Sequence, residues 1–212
     1  MSRYTLKYFN LRARGEIARL LFAQAGVNYE DVRYTHRFED PKGWTKIKSK
    51  LPFGKVPILE FDGQILTQSL AIAHYLAREF HLLGANAMEE GKTYEAFFTA
   101  QDIMEAQYLM FLEPDEYRKV QLEKNYAEND LPRLLGNLST LLGNKDFFVP
   151  SGVTVGDMNV FLVTDDMHLA KHKKDYLPKL IAKYPNLTAH RNRVSRLPNI
   201  AAYLARRPHT DS

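Results

Sequence analysis

The sequence predicts a chain of two parts, a mixed α/β part over residues 1–80 and an all-helical part over residues 86–212, joined by a linker at 81–85. Three observations carry that reading. Before residue 80 the apolar pattern switches between period two and period 3.6. An Asp62-Gly63 pair between two short apolar runs marks a hairpin. From residue 86 onward no run alternates as a strand would, and helical spacing takes over.

Residues 3–9 alternate, with Tyr4, Leu6 and Tyr8 on one face and Thr5, Lys7 and Phe9 on the other, so they predict a strand. Residues 10–14 form a polar turn. A helix follows over 15–25: Ile17, Leu20, Leu21 and Ala25 form its apolar stripe, and Gly26 ends it. Residues 28–35 read as a second strand. Residues 36–52 are charged and irregular, anchored by Trp44, Ile47 and Leu51. Residues 56–61 and 64–66 are the two arms of the hairpin. A helix over 69–77 then buries Leu70, Ala73, Leu76 and Ala77. This order makes a small mixed sheet from a βαβ half and a ββα half. The helical crossover makes the first strand pair parallel, and the hairpin makes the last pair antiparallel.

In the second part, residues 88–112 predict a long amphipathic helix with Phe97, Phe98, Ile103 and Met104 as apolar positions. Residues 120–142 predict another, which tolerates Pro132 only through a kink or break. Thr154 starts a further helix, and Pro178, Pro185 and Pro198 punctuate the tail.

Composition excludes several classes. Of 212 residues, 45% are hydrophobic and 25% charged, with 11 Gly and 10 Pro, which is a folded protein and not a collagen-like, mucin-like or disordered chain. The absence of cysteine excludes disulfide scaffolds, Cys-held zinc or iron–sulfur centres and a cysteine nucleophile. The charge of +4, from 29 basic and 25 acidic residues, is too even to argue for nucleic acid. The densest basic cluster, Lys171-His172-Lys173-Lys174, is closed by Asp175 and reads as a solvated helix end, as does Arg206-Arg207. His74 and His81 are seven apart and His168 and His172 four apart, with no carboxylate in a metalloprotease pattern, so no metal is expected. Residues 1–16 lack the apolar core of a signal peptide, and no stretch approaches the ~18 apolar residues of a membrane span. The run His209-Thr210-Asp211-Ser212 matches no retention or anchor signal. The cytoplasm is therefore the expected location.

A few local features carry chemistry. In Leu51-Pro52-Phe53-Gly54-Lys55-Val56-Pro57 a proline stands at the entrance of a strand. It is either an ordinary trans edge proline, or a cis one that turns the Val56 amide and carbonyl toward a ligand lying edge-on. Gln68-Ser69 precedes a helix. Ser69 is either a plain cap or part of a carboxylate site built from first-turn N–H groups and its hydroxyl. Tyr8 ends the first strand next to a turn, and Arg14 begins the next helix. Tyr8 either packs or hydrogen-bonds a ligand, with Arg14 adding positive potential. Trp44 and Lys48, four apart, are a wall and a cation for a polar ligand, or Trp44 is a loop anchor. Thr154-Val155-Gly156-Asp157 is a T-x-x-D capping arrangement and is assigned to folding.

Taken together, these residues carry a likeness. The run Tyr8-Phe9-x-x-Arg12-x-Arg14-Gly15-Glu16, the Leu51–Glu60 segment, Gln68-Ser69-Leu70-Ala71-Ile72-Ala73-x-Tyr75-Leu76, the 154–157 cap and Arg206-Arg207-Pro208 span nearly the whole chain. In their combination the sequence resembles the cytosolic glutathione transferases of the sigma class, which includes the haematopoietic prostaglandin D synthases and the lens S-crystallins. The resemblance implies a thioredoxin-like N-terminal domain (βαβ-ββα) and an all-helical C-terminal domain that contributes the hydrophobic electrophile site. It makes Pro57 a cis-proline. It implies glutathione as co-substrate, with no metal or other cofactor. Tyr8 would be the catalytic tyrosine that favours the thiolate, with Arg14 in support. Trp44, Lys48 and Lys55 would hold the glycine end and Val56 the cysteinyl unit. Gln68 and Ser69 would hold the γ-glutamyl end. Asp102 would reach glutathione in the partner subunit, which implies a homodimer. Phe9, Leu11, Ala13, Met104 and Tyr108 would wall the electrophile.

Two departures from the family pattern matter. The 36–43 segment is several residues longer than in vertebrate members, so Trp44 and Lys48 are matched across an insertion. Leu109 stands where the prostaglandin D synthases carry a tryptophan, which argues against efficient prostaglandin D2 synthesis. The sequence reading therefore ranks conjugation of glutathione to hydrophobic electrophiles first. A non-catalytic carrier or S-crystallin-like protein comes second and a dedicated isomerase last.

Overall fold

The computed structural model describes residues 3–165, 176–208 and 210. The basic cluster at 171–175, the His168–His172 pair, and His209, Asp211 and Ser212 of the C-terminal run lie outside the described residues. The chain divides into two compact units. One comprises 1–81 with 197–212, the other 82–196.

In the first unit the sheet has the order β2-β1-β3-β4. Strands β1 (Tyr4–Phe9) and β2 (Tyr29–Tyr34) pair in parallel across helix α1 (Ala13–Ala25). Strand β3 (Ile58–Phe61) runs antiparallel to β1 and to β4 (Gln64–Thr67). This is the thioredoxin-like topology expected from the crossover and the hairpin. The hairpin closes through Asp62 and Gly63, both at positive φ, with Phe61 facing Gln64. Helix α3 (Ser69–Glu79) buries Ile72, Ala73, Leu76 and Ala77. Leu70 is 37% exposed and not part of that face, because the buried rows run 72–76 and 73–77.

Three other expectations for this unit are corrected. Residues 36–52 are not irregular throughout: they contain helix α2 (Pro41–Lys48), started by Pro41 and capped by Asp40, which accepts from Gly43 N–H at 2.9 Å. Helix α1 is buried on all sides from Gly15 to Ala23, not along one stripe, and Ala25 is only half-buried. Residues 197–212 belong with this unit and not with the 86–212 part. Helix α10 (Pro198–Arg206) sends the Tyr203 hydroxyl to Glu16 Oε1 at 2.8 Å, and Arg207 donates to the same oxygen at 3.2 Å. Arg207 is therefore an ion-pair partner of a buried carboxylate, not a solvated charge.

The second unit is helical, and among its described residues only an isolated bridge, Val149 with Gly152, has strand pairing. Helix α4 (Ala87–Leu112) is capped by Asn86, whose side chain accepts from the Met88 and Glu89 N–H groups. It buries Ala96, Phe97, Ala100 and Ile103. Phe98 is not a core position: it is 50% exposed and stacks on Tyr94 one turn earlier. The expected 120–142 helix is two helices. These are α5 (Glu116–Asn125) and α6 (Leu131–Leu142), joined by a π-helical turn at Tyr126–Asp130. Pro132 lies in the first turn of α6, and its missing N–H is accommodated by that break. Helices α7 (Val155–Asp165), α8 (Tyr176–Ile181) and α9 (Pro185–Ser195) complete the unit. Its core gathers Ile103, Leu135, Leu138, Leu142, Val160 and Leu187.

Candidate active site

The first unit holds a small, open cleft between the chain entering β3 and the start of α3. One wall is the chain entering β3: Phe53, Lys55, Val56 and Pro57. The Val56–Pro57 bond is cis. Backbone–backbone hydrogen bonds among the described residues do not use Val56. The other wall is the β4–α3 junction, with Thr67, Gln68 and Ser69. Gln68 caps α3 at φ 70°, and its carbonyl accepts from Ile72 N–H at 2.9 Å. The unpaired N–H groups of the first helical turn therefore start here, beside the Ser69 hydroxyl. Arg14 completes the lining. Two cations, an amide, two hydroxyls and a helix N-terminus converge, and among the described residues no carboxylate lines the cleft. Such a site attracts a ligand with anionic carboxylates.

Tyr8 does not line this cleft. It is the penultimate residue of β1, is 6% exposed, and its ring packs closely on α1 at Gly15. A Cβ at Gly15 would stand 2.4 Å from Tyr8 Cδ1, so the glycine makes the close approach possible. Phe9 follows, 8% exposed, with its ring centroid 4.8 Å from His36 and 4.7 Å from Trp44. Burial, with Arg37 nearby, lowers the His36 pKa below the ordinary histidine value, and Glu39 opposes that. Lys48 is exposed and lies against Gly54, the residue before Lys55.

Arg19 and Glu16 of α1 are both fully buried. Arg19 donates to the Leu11 carbonyl at 2.8 Å, to the Phe9 carbonyl at 3.4 Å, to Glu16 at 3.2 Å and to Asp31 at 3.1 Å. Burial alone would weaken the Arg19 charge. Asp31 and Glu16 more than offset that, and its pKa is held above the ordinary arginine value. Burial, reinforced by Glu16, pushes the Tyr203 phenol up, so it stays protonated and donates.

The structure thus brings together Arg14, Lys55, Val56, Pro57, Gln68 and Ser69, with Lys48 beside them. It places Tyr8, Phe9 and Trp44 in a neighbouring aromatic cluster within the same unit. Leu11 and Ala13 are half-buried, and Ala13 opens α1 at φ 33°. Asp102, Met104 and Tyr108 lie on α4 in the second unit: Asp102 exposed, Met104 packed on that unit's core, Tyr108 half-buried. Sequence reasoning gave no role to Phe53, Thr67, Glu16, Arg19 or Tyr203. Phe53 had a signal in its place within an unusual loop. Arg19 had one as a charge at i+3 from Glu16 inside an apolar helix. Among the described residues no group of three or more His, Cys, Asp or Glu could hold a metal ion, and no helix is long and apolar enough to cross a membrane.

Residues 4–78 match the model of the glutathione S-transferase N-terminal domain, and residues 101–207 match that of the C-terminal domain. The chain belongs to the glutathione S-transferase family. It is 44% identical to the haematopoietic prostaglandin D synthase of Gallus gallus over 210 residues, covering 99% of both chains. Among solved structures, rat haematopoietic prostaglandin D synthase in complex with a quinoline superposes with a TM-score of 0.83 at 34% identity, covering 99% of each chain. A sigma class glutathione transferase of Fasciola hepatica gives 0.83 at 28%, covering 99% of this chain and 98% of that one. The chain is accordingly a cytosolic-type glutathione transferase, related to the sigma class and the prostaglandin D synthases, and an enzyme of that family. Its thioredoxin-like sheet followed by helices is the family architecture.

Proposed function

We propose that the cleft binds glutathione and that Tyr8 activates its thiol. The observation that carries this reading is the convergence of Arg14, Lys55, Gln68 and Ser69 on a cleft that, among the described residues, no carboxylate lines. Gln68, Ser69 and the α3 N-terminus take the γ-glutamyl carboxylate. The Val56 main chain pairs with the cysteinyl unit beside Pro57, and Lys55, Lys48 and Trp44 take the glycine carboxylate. Asp102 is assigned to the γ-glutamyl amine of glutathione held by a second copy, which requires a homodimer. Residues 1–80, with the 197–212 segment joined to them, are the glutathione-binding domain, and 86–196 contribute to electrophile binding. Leu11, Ala13, Met104 and Tyr108 are the proposed electrophile contacts. Phe9 was expected among them, but its burial under His36 and Trp44 leaves it little surface to offer. The enzyme works in the cytoplasm, where reduced thiols persist.

A free thiol with pKa ~8.5 is only a few per cent thiolate at neutral pH. Each unit of depression is worth about 1.4 kcal/mol. A hydrogen bond from the Tyr8 phenol, with Arg14 positive nearby, supplies about one to three such units. The activated sulfur has two uses. In conjugation it bonds to a hydrophobic electrophile and one glutathione is consumed per turnover. In an isomerisation of the prostaglandin D synthase kind the thiol is regenerated. Sequence alone ranks the isomerase last because of Leu109. Relatedness to prostaglandin D synthases over the full length of both chains reverses that order, so isomerisation is the favoured reaction. Conjugation is the second reading, favoured by an aliphatic and 63% exposed Leu109.

The test measures prostaglandin D2 formation from its endoperoxide precursor, glutathione consumed per turnover, and conjugation to an activated aryl halide. Each is run on the wild type and on Tyr8→Phe. The expected result is glutathione-dependent product without stoichiometric glutathione loss, falling at least tenfold in the variant. Stoichiometric loss with the aryl halide alone as substrate selects conjugation. Background rates in every assay, with folded protein that still binds glutathione, select a carrier.

A further inference from the structure

Tyr8 is paired with Arg33 in the sheet and packs against Gly15 of α1. It stands one residue before the end of β1 and is followed by a tight turn in which Leu11 N–H bonds the Phe9 carbonyl at 2.8 Å. A turn of this length has few main-chain bonds of its own. The guanidinium of Arg19 supplies them from outside the turn. Its planar fork reaches the carbonyls of both Phe9 and Leu11, the first and third residues after Tyr8. Its Cζ also stands 5.8 Å from the centroid of the Tyr8 ring. The fork is itself held by Glu16 and Asp31. Glu16 is held by Tyr203 and Arg207 near the C-terminus, and Asp31 by Arg33 at 2.7 Å. Arg19 is thus the centre of an ion-pair network and presents its guanidinium beside an aromatic ring.

We infer that Arg19 is a positioning residue for the reaction: it fixes the turn that aims Tyr8 and presents positive charge to the phenol ring. Positive charge near a phenol strengthens its hydrogen bond to a neighbouring thiolate. Orientation matters as much, because a displacement of about 1 Å at a reacting group can cost roughly a hundredfold in rate. Lysine cannot replace arginine here, since a single ammonium on a flexible stem cannot span two carbonyls and two carboxylates. The inference rests on the glutathione-thiolate reading above.

The test is the pH profile of kcat/KM for the wild type, Arg19→Lys and Tyr8→Phe, with glutathione KM and thermal stability measured alongside. Arg19 does not line the cleft, so KM for glutathione should stay within about twofold while kcat falls. The acid limb of the profile should move up by about half a pH unit or more, roughly threefold in thiolate at neutral pH. A purely structural role lowers activity in proportion to the folded fraction and leaves that limb where it was. That result overturns the inference. If Arg19→Lys does not fold, Asp31→Asn loosens the same fork from a partly exposed position. Because that variant keeps the Arg19 charge and loosens only its aim, kcat per folded molecule should fall with glutathione KM unchanged, and an unchanged kcat there overturns the inference equally. An unchanged Tyr8→Phe profile would remove the thiolate reading and this inference with it. A displaced Tyr8→Phe profile with a silent Arg19→Lys sinks only the inference.

Discussion

Both units bury a carboxylate completely, and they use it for different ends. In the first unit Glu16 and Asp31 hold Arg19, and Arg19 holds two carbonyls of the turn after Tyr8. In the second, Asp157 accepts from the Thr154 N–H and hydroxyl at 2.8 Å, from Phe148 N–H at 3.1 Å and pairs with His190 Nε2 at 2.8 Å. Asp157 ties a helix start, a loop and α9 into one packed body, and touches no proposed site residue. The first cluster is built around a guanidinium that reaches outward to a functional turn. The second is closed on itself. Buried charge is costly in either place. The difference teaches that the first unit spends it on aiming a side chain and the second on joining helices.

The strongest way to break this comparison is Asp157→Ala. It leaves two N–H groups, a hydroxyl and an imidazole buried without their acceptor. Breaking a buried pair of this kind costs about 3–5 kcal/mol. Chemical denaturation should show that loss, while turnover per folded molecule stays within about twofold of the wild type. A loss below about 1 kcal/mol would mean water or a neighbour replaces the carboxylate, and the cluster is not a structural clamp.

Gly15→Ala probes the first unit with the opposite expectation. Overpacking a buried position costs about 1–3 kcal/mol, offset by about 1 kcal/mol in helix propensity. The net change in stability should stay below about 2 kcal/mol. The added Cβ would lie 2.4 Å from Tyr8 Cδ1 and 2.7 Å from Cγ, so the ring must move. Turnover should fall roughly ten- to a hundredfold. An alanine variant with wild-type kinetics would show that the ring position against α1 is not the reactive one.

The same contrast explains what could be read from the sequence. The strands of the first unit were legible because Tyr4, Leu6 and Tyr8 alternate and Asp62-Gly63 dictates a hairpin. Arg14, Val56, Pro57 and Ser69 of the cleft lining stand out in the sequence because they sit at turns next to strand and helix ends, whereas Lys55 and Gln68 gain a role only through the family resemblance. The Thr154–Asp157 cap was legible because both partners are three residues apart. His190 was not, since it meets Asp157 across 33 residues of chain. Tyr203 and Arg207 were not for the same reason, at separations of 187 and 191 from Glu16. Helix α2 escapes a sequence reading because it is short and mostly exposed, and its apolar face is only Trp44 and Ile47, which read equally well as loop anchors. Its Asp40-Pro41 start was the overlooked signal. Leu70 reads as a buried position because composition names an apolar residue, not the face a helix turns inward.

The smallest expected effect lies between these clusters in kind. His36 is a titratable group in the first unit that no buried carboxylate clamps. Burial and Arg37 lower its pKa, and Glu39 pulls the other way. The folded state therefore prefers neutral His36 more than the unfolded chain does. Its contribution to stability is present above the unfolded value of about 6.5 and is lost as pH falls through the lower folded value. Protonation would place a charge against Phe9, whose ring packs on Trp44. Trp44 is the only tryptophan in the chain, so its fluorescence reports this wall alone. The emission should titrate with a midpoint below about 6.5, and His36→Gln should abolish the transition. A flat signal from pH 7 to 5, at about those limits, would show that the wall is held by its aromatic packing and not by the state of His36.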